Sequence, residues 1–231
     1  MRKVKIIVFI VALIAGLMFA KMFAFSFGFH LPGVSVFSKV KGSGNIQIEK
    51  RNVSGFTSVK TGGAITVDVV SQRDFGVEVE ADDNLLEYVK TEVRGDTLKI
   101  YTEGCISTRT PIRVRIAMPQ IESFEVSGAS SGTLTNVKNE TLSLDASGAS
   151  KIKTDGEVKE LIVDLSGASR LDAENLKADD VTVDASGASS ATVVALNDLN
   201  AEASGASTIR YAGEPKNLKK DLSGASSIKQ K

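Results

Sequence analysis

The chain has 231 residues, with 28 basic and 28 acidic side chains and a formal net charge of zero. That balance is uneven: residues 1–40 hold five bases and no acid, while residues 121–231 hold seventeen acids against twelve bases. A body with acidic excess lacks the clustered Lys and Arg that nucleic-acid phosphates demand, and a single cysteine, Cys105, excludes an intrachain disulfide and a Cys-rich metal site.

Arg2, Lys3 and Lys5 precede an apolar run from Ile6 to Ala20, the layout of an export signal. As a helix that run spans about 22 Å, short of the ~30 Å hydrocarbon core. Apolar residues resume from Met22 to Phe29 after Lys21. Ala20 follows Met18 and Ala24 follows Met22 at two residues' distance, so neither makes a good small-x-small cleavage site. Residues 1–30 therefore read as a signal sequence or, better, an uncleaved signal-anchor helix. The positive flank stays inside and the body is exported, membrane-anchored at the cell surface or in the periplasm, or secreted if the segment is removed. No cysteine follows the run to carry a lipoprotein anchor. Pro32 and Gly33 open a linker over residues 31–40.

Residues 41–126 alternate apolar and polar side chains with period two: Ile46 and Ile48; Ile65, Val67 and Val69; Val77 and Val79; Leu98 and Ile100; Ile112, Val114 and Ile116. This pattern predicts strands with one buried face. The one plausible helix, a short one, is Asp82 to Lys90.

From residue 127 a repeat takes over. Ser-Gly-Ala-Ser begins at Ser127, Ser147, Ser166, Ser186, Ser204 and Ser223, in steps of 18–20 residues. A fixed period of that size marks a solenoid, each repeat one coil. One, three and five residues before the motif stand apolar residues, as in Leu161, Val163 and Leu165, and a second apolar set lies five past its first serine: Ile152, Leu171, Ala191, Ile209, Ile228. Gly128, Gly148, Gly167, Gly187, Gly205 and Gly224 permit a tight corner with close stacking. One coil buries about five small apolar side chains at roughly 1.5–3 kcal/mol each. Ordering ~19 residues costs about 1–2 kcal/mol per residue, so a lone coil cannot fold and must stack. In the last coil Lys220 takes a position that is apolar elsewhere, which suits a partly uncovered coil.

These coils, with Gly42-Ser43-Gly44-Asn45, Gly55-Phe56-Thr57-Ser58-Val59, Asn84-Leu85-Leu86, Leu98-Lys99-Ile100 and Met118-Pro119 upstream, resemble the family described as putative auto-transporter adhesin, head GIN domain. The resemblance covers about residues 41–231. It implies an all-β, right-handed parallel β-helix-like solenoid of ~19-residue coils, irregular but β-rich over 41–126 and regular over 127–231, at the cell surface or in the periplasm. It supplies no catalytic residues.

Three constellations bear on chemistry. Gly128-Ala129-Ser130-Ser131-Gly132 matches the nucleophile-elbow pattern. It sits inside a structural repeat, no helical pattern follows, and the only histidine, His30, lies in the apolar segment, so no triad base is at hand. An acid stands two residues before each motif: Glu125, Asp145, Asp164, Asp184, Glu202 and Asp221. These form a ladder at ~4.8 Å spacing, read as a solvated face or, more weakly, as a cation site, which for Ca²⁺ needs six to eight oxygens. The motif serines read as hydrogen-bond ladders at the corner or as a polar adhesive stripe. Few aromatics are available as sugar platforms: Tyr211 is the only one after Phe124. The expectation is a non-enzymatic, exported cell-envelope β-solenoid, without cofactor, acting as an adhesin-like binding or scaffold module toward surface proteins or glycans. A polymer-forming structural protein, built as a homo-oligomer, is the first alternative, and a β-helical carbohydrate-active enzyme the second.

Overall fold

The computed structural model describes residues 39–231; the helix expected over 1–30 and most of the linker over 31–40 lie outside the described residues. Seventeen strands make up the fold among them: β1 (Val40–Lys41), β2 (Ile46–Arg51), β3 (Ser58–Thr61), β4 (Ile65–Val70), β5 (Gly76–Asp82), β6 (Val89–Arg94), β7 (Thr97–Thr102), β8 (Ile106–Ser107), β9 (Ile112–Ala117), β10 (Ser123–Val126), β11 (Ser131–Ala146), β12 (Lys151–Leu165), β13 (Arg170–Ala185), β14 (Ser190–Ala203), β15 (Thr208–Ala212), β16 (Asn217–Leu222) and β17 (Ser227–Gln230). They build an all-β solenoid of about five turns. The predicted short helix is a 3-10 turn over Asp83–Tyr88 that buries Leu85 and Leu86.

Coil-on-coil pairing is parallel from β10 through β17. Each of the long strands β11 to β13 changes register with its successor part-way along, between Leu134 and Val137, Lys153 and Asp155, and Asp172 and Lys177. One strand thus serves two faces of the solenoid. Inward columns run unbroken through the stack: Leu142, Leu161, Val181 and Leu199; Leu144, Val163, Val183 and Ala201; Ala146, Leu165, Ala185 and Ala203. All are buried, as is the second set, Ile152 to Ile228. One inward position breaks the second set. Gly132 stands where the next coils have Ile152 and Leu171. The Phe124 ring occupies the space its side chain would need.

The N-terminal coils are stacked out of chain order. β10 pairs with β11 on one side and with β3 on the other, so Ser123 aligns with both Ser143 and Ser58. β4 likewise lies between β11 and β9, and β3 between β10 and β7. Residues 58–70 therefore form a coil inserted between 97–117 and 123–135. Antiparallel pairs close this end: β6 with β7, β5 with β9, and β2 with β5. β2 departs from expectation. Its alternation is strand-like, but Ile46 and Ile48 are 48% and 57% exposed, because among the described residues β2 pairs only with β5 and no sheet lies against its outer side.

At the other end β16 pairs, among the described residues, only with β14. Leu218 and Leu222 continue the inward columns but are 43% and 49% exposed. Lys220 follows Ala201 in its column, and its Nζ lies 4.8 Å above the Tyr211 ring. Among the described residues no helix is long and apolar enough to cross a membrane.

Candidate functional site

The tetrapeptide is a corner between two faces. Its glycine takes φ between 71° and 77° in every coil, a region only glycine adopts without penalty. A Cβ on Gly167 would also lie 2.6 Å from the carbonyl oxygen of Gly148, one coil earlier. That carbonyl accepts a 2.7 Å hydrogen bond from the Ala168 N–H, and the same bond recurs from Ala149 to Gly128, Ala188 to Gly167, Ala206 to Gly187 and Ala225 to Gly205. The glycine and alanine are exposed, and the first serine is half-buried except at the exposed Ser223. The second serine turns inward: Ser130, Ser150, Ser169, Ser189 and Ser207 are all buried.

In the elbow pattern, Ser130 turns into the core. Ser130 is 2% exposed, its Oγ accepts a bond from the Ile65 N–H at 3.3 Å, and strand β11 rather than a helix follows it. His30, the only histidine, lies outside the described residues. Corner hydroxyls do bond between coils: Ser127 to the Thr61 carbonyl at 3.1 Å, Ser186 to Leu165 at 3.3 Å, Ser207 to Ala185 at 2.8 Å and Ser226 to Ala203 at 2.8 Å. The Oγ atoms of Ser150, Ser169 and Ser189 are buried without a partner among the described residues.

A further corner escapes the tetrapeptide pattern. Thr61 aligns with Val126, which sets Gly62-Gly63-Ala64 beside Ser127-Gly128-Ala129. Gly63 has φ of 97°, and its carbonyl accepts the Ala129 N–H at 2.7 Å. The signal was a Gly-Gly-Ala directly ahead of the Ile65, Val67, Val69 alternation.

The acid ladder is in register from coil to coil: Glu125, Asp145, Asp164, Asp184, Glu202, Asp221. Lys60 precedes Glu125 in the same column and bonds it at 2.5 Å; Lys219 lies 3.7 Å from Glu202. Burial, then the carboxylates of Glu125 and Asp164, push the Asp145 carboxyl above its ordinary range, against the smaller pull of Lys60. A second acidic column on this face runs Glu160, Asp180, Asp198. Among the described residues no three of His, Cys, Asp or Glu come together in a metal-holding group.

The face on the other side of the corner carries the opposite charge. Its outward columns are Lys151, Arg170, Ser190, Thr208, Ser227 and Lys153, Asp172, Thr192, Arg210, Lys229. These residues stand four and six places after each motif's first serine, so counting forward as well as back would have found them. A third surface mixes signs: Glu140 and Lys159 pair at 2.6 Å, and Lys177 and Glu157 at 3.9 Å. These line an open groove of about 770 Å³ with Gln72, Asn139 and Leu196. At the N-terminal end, Asp82 is buried, accepts bonds from the Gly44 N–H at 3.0 Å and the Thr108 hydroxyl at 2.5 Å, and lines a pocket of about 530 Å³.

The family model described as putative auto-transporter adhesin, head GIN domain, matches residues 55–215. The chain belongs to this family. A search of curated proteins finds no match. Solved structures share the fold: a putative adhesin from Bacteroides fragilis, 16% identical, with TM-score 0.69 over 83% of this chain and 100% of that one; a putative adhesin from Parabacteroides distasonis, 20% identical, with TM-score 0.54 over 84% and 100%; and a protein from the same species described as a putative lipid binding protein, 18% identical, with TM-score 0.55 over 84% and 99%. At these identities the likeness is one of fold.

Proposed function

We propose that the chain is a non-enzymatic, adhesin-like binding or scaffold module of the cell envelope, exported and held at the membrane by its N-terminal segment. One observation carries this reading. The outward positions of each coil recur in register on parallel sheets, so a ligand meets an ordered lattice of side chains at ~4.8 Å steps. Such a surface binds extended partners through many weak contacts. The buried Ser130 supports the non-enzymatic part, since the serine of the elbow pattern faces the core. Family membership supports an exported, surface setting.

The test is binding of the purified full-length chain to arrays of glycans and extracellular-matrix proteins. Saturable binding to any of them upholds the reading; a clean blank sinks adhesion and leaves a purely structural role.

A specific feature favours a second reading, self-assembly into a polymer. Leu218 and Leu222 lie exposed on the inward face of β16, whose far edge has no strand against it among the described residues. Such an edge templates further strands. Sedimentation velocity at rising concentration discriminates, because a concentration-independent monomer speaks against polymers.

A further inference from the structure

Charge on this solenoid is sorted by face. Across the same five coils, the outward columns before the corner hold eight acids (Asp145, Glu160, Asp164, Asp180, Asp184, Asp198, Glu202, Asp221) and one base, Lys219. The outward columns after the corner hold five bases (Lys151, Lys153, Arg170, Arg210, Lys229) and one acid, Asp172. The five bases are exposed. Among the described residues none of them forms an ion pair, although eleven such pairs occur elsewhere.

The bases are clustered. Lys151 and Arg170 are partners across one coil step, and Lys153 lies two residues along the same strand. Three cations thus sit at ~5 to ~7 Å spacing. Arg210 and Lys229 are partners across another step, further along the stack. Like charges so placed repel each other, and one acid, Asp172, in register with Lys153, stands beside them. Ser190 and Thr192 form the rung between the two clusters, and Thr208 and Ser227 stand beside Arg210 and Lys229 on their own strands. The surface is therefore a sheet of five cations and one acid interleaved with hydroxyl donors and acceptors.

We infer that this face binds a linear acidic polysaccharide, its carboxylate or sulfate groups on the two cation clusters and its hydroxyls on the intervening Ser and Thr. The inference rests on the adhesin-like reading and names the ligand class for it. The acidic face on the other side of the corner orients the interaction, because it repels a polyanion and confines it to the basic sheet. A second copy of the chain fits less well. Its acid ladder is even, one carboxylate per coil, whereas the cations are uneven. An acid column laid along them sets carboxylates against Asp172 and against the uncharged Ser190 and Thr192 rung.

The experiment measures binding of polygalacturonate and dextran sulfate to the full-length protein at low and at high ionic strength, with neutral dextran and duplex DNA as controls. The expected result is saturable binding of both acidic polymers, none of dextran, and weakening as salt rises, since neutralised charges release counterions. The variant Lys151→Gln/Lys153→Gln/Arg170→Gln is expected to bind roughly tenfold more weakly. Lys138→Gln/Lys177→Gln, on the mixed-sign surface, is expected to change affinity less than about twofold. All these sites are exposed, so folding is preserved, as a melting curve verifies. Equal affinity for dextran, equal affinity for DNA, or indifference to the triple substitution overturns the inference. So does salt-sensitive self-association abolished by the triple substitution, because the occupant is then a second copy. Array binding to neutral glycans or proteins, retained in the triple variant, overturns this inference while leaving the adhesin-like reading intact.

Discussion

Strand β10 is paired with two neighbours of very different origin. On one side, Ser123 meets Ser143, 20 residues later in the chain; on the other it meets Ser58, 65 residues earlier. The hydrogen-bond geometry is parallel in both. The difference lies in how each neighbour is brought there. The repeated coils are laid down by the chain in passing, each closing a loop of about one period. The inserted coil waits for the chain to travel out through β5, β6, β7 and β9 and come back. Loop-closure entropy alone separates the two by about 1 kcal/mol. Local sequence must therefore encode the repeats strongly, whereas the N-terminal part depends on long-range packing. Redundancy shows the same contrast: a glycine in the repeats has a neighbour one coil away, while several upstream face open space.

Core truncation gives the largest expected effect. Leu142 is fully buried in the repeated coils, and Leu142→Ala is expected to cost about 3–4 kcal/mol in urea unfolding. Ile48→Ala, at the exposed outer side of β2, is expected to stay within about 0.5 kcal/mol. A large loss at Ile48 would break the comparison, because β2 would then be packed against something. Glycine substitution isolates stacking from backbone strain. Gly55 and Gly167 have nearly the same φ, 78° and 73°, but a Cβ on Gly55 meets nothing within 4 Å. Gly55→Ala is expected to cost about 1 kcal/mol from the left-handed conformation alone. Gly167→Ala carries the same strain plus the overlap with Gly148, for about 3 kcal/mol in total. Equal costs at the two sites would mean that coil spacing is slack.

The contrast also marks what the chain discloses on reading. The coils were legible because each inward column recurs at a constant offset from Ser-Gly-Ala-Ser, so Leu161, Val163 and Leu165 announce their own burial. The acid ladder was legible for the same reason. The inserted coil was not: its corner, Gly62-Gly63-Ala64, has lost both serines, and a 65-residue offset leaves no period to detect. The exposure of Ile46 and Ile48 was hidden because alternation specifies two faces but not whether a second layer exists to cover one. The inward turn of Ser130, Ser150, Ser169, Ser189 and Ser207 was hidden as well. A serine is small enough to be buried whether its hydroxyl finds a partner, as in Ser207 and Ser130, or none, as in Ser150, Ser169 and Ser189, so its polarity does not fix its side.

The buried serines sharpen the comparison within the repeats. Ser207 donates to the Ala185 carbonyl at 2.8 Å, so Ser207→Ala is expected to cost about 1 kcal/mol. Ser169, in the middle of the stack, is buried with no partner for its hydroxyl among the described residues. Ser169→Ala removes a polar atom without removing a bond and is expected to be neutral or slightly stabilising. A cost at Ser169 equal to that at Ser207 would show that its hydroxyl turns to the preceding coil in the same way.

The smallest effect concerns the acid ladder and has a definite sign. Asp145 titrates above its ordinary 3.8 in the folded chain, through burial first and the adjacent Glu125 and Asp164 next. The folded state therefore holds this proton more tightly than the unfolded state does. Ionised Asp145 opposes folding at neutral pH, and that opposition is relieved as pH falls through its raised value toward 3.8. Asp145→Asn is expected to raise Tm at pH 7 and to lessen the dependence of Tm on added salt, because salt screens the same repulsion. Asp68→Asn gives the upstream counterpart, since Asp68 lies 3.6 Å from Arg113 and loses an attraction instead. Its effect on Tm should be of opposite sign and small, as for an exposed pair. Melting curves of the two variants at low and high salt decide the matter. If both shift in the same direction, the carboxylate ladder is not the source of the difference between the two regions.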